Sequence, residues 1–333
     1  SSVKYWLRKL FEENNNVRFW FSLGSAIRSF AEAAPDEFLE AVMDASLGSE
    51  SEMQKLFQAG EGDSYLGGGC YHCDLLWALE SVSWGKQYLA QVSSCLARLS
   101  QIDVKESNRS NRPFNSLIDI YLGWINNSSV THVEKLQIIE QVLLTRYPQI
   151  SWQLMLNLLF NKHRSTMGLS KPKYRDWALN AEKTITNADY YHYVQSIVDI
   201  LLKEVDQDPA GRIIDLIGNF DSYTEKQAEI VLDKCLAIDD ESLEEKKRSR
   251  LIEYLRDTIS RHREFHDAEW SWEDSVIERL ENIYHKFEFQ DVIGKNLFLF
   301  NENQPSLIEP LSRKEYDYEE RDKLLSKKRI EAL

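Results

Sequence analysis

Residues 75–99 read LLWALESVSWGKQYLAQVSSCLARL and carry two apolar stripes separated by a short turn. The first stripe consists of Leu75, Leu76, Leu79 and Val82, and the second of Leu89, Val92, Leu96 and Leu99. Apolar residues three or four positions apart line one face of an α-helix. Two such helices with a short connection predict an antiparallel helical hairpin.

The same spacing continues on both sides of this hairpin. Two further stripes consist of Trp20, Leu23, Ile27 and Phe30, ended by Pro35, and of Phe114, Leu117, Tyr121 and Trp124. Capping boxes are expected at Thr131 with Glu134 and at Thr224 with Gln227, since each pair can satisfy free backbone donors at a helix start. Simple caps are expected at Ser151 and Ser271. An extended segment is expected at residues 296–300. The predicted core includes Trp77, Leu79, Leu117 and Trp124.

The composition favours an all-α chain, because 13 Gly and 7 Pro among 333 residues are few for a turn-rich β fold. We therefore predict irregular antiparallel helical hairpins stacked as an α-solenoid, of the general kind that tetratricopeptide and HEAT repeats form. The length exceeds that of one usual core. We expect a helical subdomain at residues 1–160, a connecting loop at 161–176 and a second helical subdomain at 177–333.

Charge and cysteine content indicate which partners and cellular locations are expected. The formal net charge is −14, so the average surface repels nucleic acid. Four cysteines without regular spacing favour a reducing compartment. With no apolar window of membrane-spanning length, a cytoplasmic location is expected. The helical pattern runs up to both ends, which indicates a piece of a longer protein.

One loop has an unusual local charge. Its cations meet no acidic residue before Asp176, and they are Lys162, Arg164, Lys171, Lys173 and Arg175. On an acidic chain this loop forms a positive spot that can steer an acidic partner. The alternative is an ordinary solvated loop. These five residues are the candidate partner-binding residues.

The other motifs do not match a catalytic signature, and no cofactor or metal is expected. Glycines at 67–69 lack the Lys-Ser/Thr ending of a phosphate loop. Cys70 and Cys73 have the spacing of half a zinc site, but the second pair of ligands is missing. We interpret Cys73 as a buried helix residue, and His262 with His266 as part of a solvated helix face. The cluster Lys246, Lys247, Arg248 and Arg250 is interpreted in the same way.

Four stretches resemble the helical-repeat region of STAND-type NTPases of prokaryotic antiviral defence, including the Avs proteins. They are residues 30–39 (FAEAAPDEFL), 75–80 (LLWALE), 111–117 (NRPFNSL) leading to 121–124 (YLGW), and 171–177 (KPKYRDW). In that family an effector and an ATPase core precede repeats that bind a viral protein. The resemblance implies a sensor fragment without catalytic motifs. Its partner would be a protein such as a phage terminase or portal protein, and the parent would oligomerise on activation.

Two other functions stay open. A cytosolic scaffold without an immune role would bind cellular proteins through the same type of surface. An enzyme could use the region of Cys70, His72 and Cys73. A stacked helical array suits the first two functions, because its extended face can recognise the shape of a folded partner.

Overall fold

A computed structural model describes residues 2–59, 71–104, 110–160, 166, 168–179, 184–311 and 318–333. Throughout these ranges the regular secondary structure is helical and no strand occurs. The helices pack against one another, which confirms the predicted all-α class. The chain forms two compact units, Ser1–Leu201 and Leu202–Leu333.

The first unit is a set of short amphipathic helices around one apolar core. Its helices are α1 (Ser2–Asn14), α2 (Val17–Leu23), α3 (Ala26–Ala33), α4 (Pro35–Ala45), α5 (Glu52–Gln58), α6 (Cys73–Ser83), α7 (Leu89–Ile102), α8 (Pro113–Tyr121), α9 (His132–Ile138), α10 (Leu144–Arg146), α11 (Pro148–Asn157) and most of α12 (Asn187–Glu204). Helix α3 packs on α6, α7 on α8, and α4 on both α1 and α7. A π-helical turn at Ile139–Leu143 joins α9 to α10.

Helix starts in this unit follow the local chemistry of the sequence. Pro35 occupies the first turn of α4, where its missing N–H costs no hydrogen bond. The capping box of Thr131 and Glu134 is confirmed at α9. Ser151 lies inside α11 and bonds back to the Tyr147 carbonyl, so its predicted capping role is wrong.

Two predicted stripes end earlier than expected. The stripe from Trp20 is divided between α2 and α3 at Gly24, whose φ of 46° suits glycine. Helix α8 ends at Tyr121, so Trp124 leaves the buried face and is 41% exposed. Position 123, just after the helix, requires glycine because a Cβ there would collide with the Tyr193 ring.

The four predicted core residues therefore differ in burial. Leu79 and Leu117 are fully buried, as predicted. Trp77 is half-buried, with the Arg28 guanidinium 4.3 Å from its ring centre. The prediction of a buried Trp124 is wrong, because the α-helical period on which it rested stops before that residue.

The second unit is built around a long central helix. Its helices are α13 (Pro209–Ile217), α14 (Glu225–Leu236), α15 (Glu245–Glu264), α16 (Asp274–Phe287), α17 (Val292–Asn296), α18 (Phe298–Asn301) and α19 (Tyr318–Glu331). Helix α15 packs on α13 and α16, and α14 also packs on α16. The capping box of Thr224 and Gln227 is confirmed at α14. A small separate cluster joins Leu299, Leu307 and Leu325.

Two expectations for the later part of the chain need correction. Residues 296–300 are mainly helical, within α17 and α18, rather than extended. Ser271 does not cap α16, whose N-cap is Glu273, and its hydroxyl bonds to the His262 carbonyl instead. The first compact unit ends at Leu201, within α12, and the sequence-based division at residues 161–176 stays a prediction.

None of the helices that the structure describes combines the length and apolar character needed to cross a bilayer.

Candidate functional site

The described part of the basic loop lies against the first unit. Residues 168–177, called the docked segment below, follow an irregular path without helix or strand. Lys171, Lys173 and Arg175 are all exposed. The other two candidate residues, Lys162 and Arg164, lie outside the described residues.

The docked segment is held at its centre by a buried carboxylate. Glu32 is 3% exposed and lies near the end of α3. Its two carboxylate oxygens accept the backbone N–H groups of Lys173 at 2.8 Å and Tyr174 at 2.6 Å. Hydrogen bonds from N–H groups to a charged acceptor are stronger than neutral ones. The backbone of the segment is therefore fixed while its lysine side chains stay in solvent.

A second buried carboxylate holds the start of the segment. Glu80 on α6 accepts the Ser170 N–H at 3.1 Å and the Ser116 hydroxyl at 2.7 Å. Burial raises the pKa of the Glu80 carboxyl, against the opposing effect of these hydrogen bonds. The Trp84 indole N–H donates to the Ser170 carbonyl at 3.0 Å, so both the N–H and the carbonyl of Ser170 are bound.

Arg175 has a structural role in addition to its charge. Its Nε donates to the Glu32 carbonyl at 2.8 Å, and its guanidinium lies 5.7 Å from the Trp177 ring centre. Trp177 packs edge-on against Tyr88, with ring centres 5.4 Å apart. Part of the Arg175 hydrogen-bonding capacity is thus used within the chain. Lys171 and Lys173 remain as the exposed cations of the segment.

The geometry suits binding rather than acid–base chemistry. The Lys171 ammonium lies 5.4 Å from the Trp84 ring centre, and the Lys173 ammonium lies 5.2 Å from the ring centre of Tyr174. Tyr174 is itself 65% exposed. The exposed Lys173 ammonium can pair with a carboxylate while the neighbouring Tyr174 ring covers apolar surface of a partner, and Lys171 adds a second exposed cation.

Glu32 and Glu80 belong to no sequence motif, although their surroundings contain a signal. Each glutamate stands in a largely apolar run, AEAA for Glu32 and LLWALE for Glu80. A charged residue on a predicted buried face needs a hydrogen-bonding partner. Helical spacing alone could not show that this partner lies in residues 170–174.

The possible enzyme site at Cys70, His72 and Cys73 lies only partly within the described residues. Cys70 lies outside the described residues. Cys73 begins α6, in agreement with its prediction as a helix residue, but it is half-buried rather than buried, and it is disulfide-bonded. His72 is buried, with Nε2 3.0 Å from the Asn111 carbonyl. Within the described part of the chain, no three His, Cys, Asp or Glu side chains are arranged to hold a metal.

The prediction that His262 lies on a solvated face is wrong. His262 is 1% exposed, while His266 is exposed beside Asp267. The Trp272 N–H donates to His262 Nδ1 at 3.0 Å, which leaves the ring proton on Nε2 to donate to Asp221 at 2.8 Å. Burial acts to raise the pKa of Asp221, but the hydrogen bond from His262 and the charge and hydrogen bond of Arg261 outweigh it, and the pKa is lowered.

Although Ser271 lies close to this pair, the arrangement is structural. The Ser271 hydroxyl donates to the His262 carbonyl at 3.1 Å, and the lone pair of Nδ1 is occupied by the Trp272 N–H. Ser271 Oγ also lies 3.3 Å from Nδ1, so the nitrogen that a nucleophile's base would use is shared with the Trp272 N–H, which makes the shorter contact. The cluster ties the loop after α15 to that helix.

In the basic cluster at residues 246–250, Arg248 is half-buried and donates to the Asp240 carbonyl at 2.7 Å, rather than lying on a solvated face.

A buried lysine in the first unit is a further titratable group with a shifted pKa. Lys135 is 2% exposed, and its ammonium donates to the Leu122 carbonyl at 3.3 Å. Burial lowers the pKa of Lys135 to about 7. Burial, together with the Lys135 charge, also lowers the pKa of His132, which stacks on Tyr193 with ring centres 4.3 Å apart. Since the lysine is enclosed, it influences stability rather than substrate chemistry.

Comparisons with known proteins give no relative. No protein-family model matches the sequence, and neither a curated protein nor a solved structure is significantly similar to it.

Proposed function

We propose that this chain is a protein-binding helical module that recognises an acidic protein surface through Lys171 and Lys173. The observation that carries the proposal is the anchoring of the docked segment. Its backbone N–H groups are bound by the buried Glu32, while both lysine side chains remain exposed.

Anchoring matters because binding costs the entropy of ordering flexible groups. A loop whose backbone is already fixed avoids part of that cost when a partner binds. The positive spot also contrasts with the net charge of −14 of the whole chain. An acidic partner would therefore be steered towards this segment rather than towards the average surface.

We further propose that the partner is a viral structural or packaging protein and that the chain is the sensor region of a STAND-type defence NTPase. The support is the resemblance of residues 30–39, 75–80, 111–117 and 171–177. Glu32, Glu80 and Ser116 lie in the first three stretches and contact each other or the docked segment. In this proposal the shared stretches build the anchor, and binding promotes oligomerisation and effector activation in the parent.

In the same proposal this chain is not itself an enzyme, and catalysis belongs to other parts of the parent protein. The competing function is a cytosolic scaffold without an immune role. Co-purification from infected and uninfected cells separates the two. A sensor retains its partner only from infected cells, whereas a scaffold retains the same partner from both.

The contact itself is tested with the double variant Lys171→Glu/Lys173→Glu. Arg175 is left unchanged because its guanidinium supports the segment. The matched control is Lys226→Glu/Lys246→Glu, which reverses two exposed lysines in the second unit. Association with the purified partner is measured at low and high salt, and folding is checked by circular dichroism.

We expect the docked-segment variant to associate several-fold more slowly at low salt, with a smaller difference at high salt, because screening weakens steering. The control should slow association less. If the folded docked-segment variant associates as fast as the unchanged protein, Lys171 and Lys173 do not form the contact.

A further inference from the structure

A groove in the second unit lies between α15 and the segment that runs from Glu288 to Glu302. Its volume is about 350 Å³. The walls combine apolar and acidic side chains, among them Glu245, Ile252, Glu253, Phe289, Ile293 and Leu297. Every lining residue belongs to this one unit.

The lip of the groove is an exposed apolar patch along residues 292–300, of which Ile293 and Leu297 line the groove itself. Ile293 is 76% exposed, Val292 66%, Leu297 49% and Phe300 48%. Single exposed apolar residues are common, but these four, on α17, on α18 and at the residue between them, form a cluster. Clustered apolar surface with a polar rim is typical of protein interaction sites.

Both cations that line the groove are already engaged within it. Lys295 pairs with Glu288 at 2.9 Å. The buried Arg256 lies 3.7 Å from a Glu302 oxygen, and its guanidinium stacks 3.8 Å from the Phe298 ring centre. Neither cation is therefore available to balance the remaining carboxylates of the groove.

Two of those carboxylates are on the same wall. Glu245 and Glu253 are exposed, and no ion pair to either occurs among the described residues. Eight residues along an α-helix correspond to about 12 Å and slightly more than two turns. The two side chains therefore lie on a similar face of α15, with Ile252 and the apolar lip beside them. Charge complementarity calls for two separated cations next to apolar side chains.

We propose that this groove binds a basic amphipathic helix of a partner protein. Its aliphatic side chains cover Ile293 and Leu297, and lysines or arginines about two turns apart pair with Glu245 and Glu253. This is helix-in-groove recognition, in which an apolar face gives affinity and flanking charges give orientation. The acidic rim disfavours the anionic headgroups of a membrane and the phosphates of nucleic acid. The inference concerns a different surface from Lys171 and Lys173 and does not depend on the function proposed for them.

The probe is a fluorescently labelled synthetic peptide of leucine and lysine, about four helical turns long, with the leucines on one face. A second peptide has the same composition in an order without an apolar face. Binding to the full chain is measured by fluorescence anisotropy. The variants are Glu245→Lys/Glu253→Lys and Ile293→Ser, and the matched control is Glu278→Lys, an exposed glutamate on α16 outside the groove.

We expect the amphipathic peptide to bind more tightly than the reordered one. The double charge reversal should weaken binding about tenfold, since each exposed pair contributes a factor of a few and reversal turns attraction into repulsion. Ile293→Ser should weaken peptide binding several-fold at all salt concentrations. Glu278→Lys should weaken it by less than twofold, because salt screens a surface charge that lies outside the groove.

Three results would overturn the proposal. The first is the absence of peptide binding, and the second is equal loss in the control and groove variants, which would indicate attraction to net charge alone. The third is a different occupant, shown by self-association or by binding to phosphatidylserine vesicles that Ile293→Ser abolishes. Circular dichroism of each variant confirms that the helices are retained.

Discussion

Replacing Lys135 by methionine is expected to stabilise the first unit at neutral pH. The lysine is 2% exposed, with one hydrogen bond to the Leu122 carbonyl at 3.3 Å, and burial lowers its pKa from 10.5 to about 7. Methionine fills a similar volume without a charge to desolvate. The substitution therefore removes an unfavourable group and loses a single hydrogen bond.

The magnitude follows from the two pKa values. A difference between 10.5 and about 7 corresponds to roughly 5 kcal/mol of penalty for the protonated lysine in the folded protein. The lost hydrogen bond offsets about 1 kcal/mol of this. Allowing for local relaxation around a buried charge, we expect the variant to be more stable by about 2–4 kcal/mol at pH 7.

The pH dependence gives a second and independent signature. Between pH 7 and 10.5 the unfolded chain binds the lysine proton and the folded chain has released it, so the free energy of unfolding rises with pH. Below about pH 7 both states are protonated and the penalty is complete. The advantage of the methionine variant should therefore shrink as pH rises above 7.

Urea unfolding followed by tryptophan fluorescence measures both effects. The useful range is about pH 7 to 9, because the pKa values of buried Cys95 and Cys235 are raised to about 12 and these thiols add an opposite slope at higher pH. Their contribution cancels in the difference between variant and unchanged protein. The control, Lys226→Met at an exposed position, should change stability by less than about 0.5 kcal/mol. A methionine variant that is less stable, or whose advantage is constant with pH, would refute the reasoning.

Two further predictions concern packing and the docked segment. Trp152→Ala should cost about 3–5 kcal/mol in urea unfolding, because Trp152 is 2% exposed, whereas Trp124→Ala should cost under about 1 kcal/mol; equal costs would contradict the burial assignment. Glu32→Gln should speed amide hydrogen exchange at residues 173–174 by about tenfold or more, through loss of the charged acceptor, while Glu40→Gln leaves it unchanged. Unaltered exchange in the Glu32 variant would show that the segment is held by other contacts.

The two proposed surfaces differ in the sign of the partner that they select. Lys171 and Lys173 offer positive charge on an anchored backbone, and the groove beside Glu245 and Glu253 offers negative charge beside apolar side chains. A partner with both an acidic surface and a basic helix could engage either one. The separate variant sets distinguish these contacts, because each changes one surface and leaves the other intact.

The amino-acid sequence by itself determined the helical class and many helix boundaries. Apolar spacing placed Leu79 and Leu117 in the core, and the capping boxes at Thr131 and Thr224 mark the starts of α9 and α14. These features depend on neighbours within one or two helical turns. Helical hydrogen bonds and caps join residues three or four positions apart, so a local pattern contains the necessary information.

Only the tertiary structure decided which polar residues are buried and what they bind. Glu32 meets Lys173 across 141 positions of sequence, and His262 meets Asp221 across 41. The tertiary structure also leaves Trp124 outside the core. Helix α8 ends at Tyr121, and Gly123, just after it, lies close to the Tyr193 ring. A buried polar group is tolerated when a partner satisfies it, and long-range packing brings that partner into place. The residues that anchor the candidate site were therefore visible in the sequence as isolated charges, while the folded chain alone gave them a role.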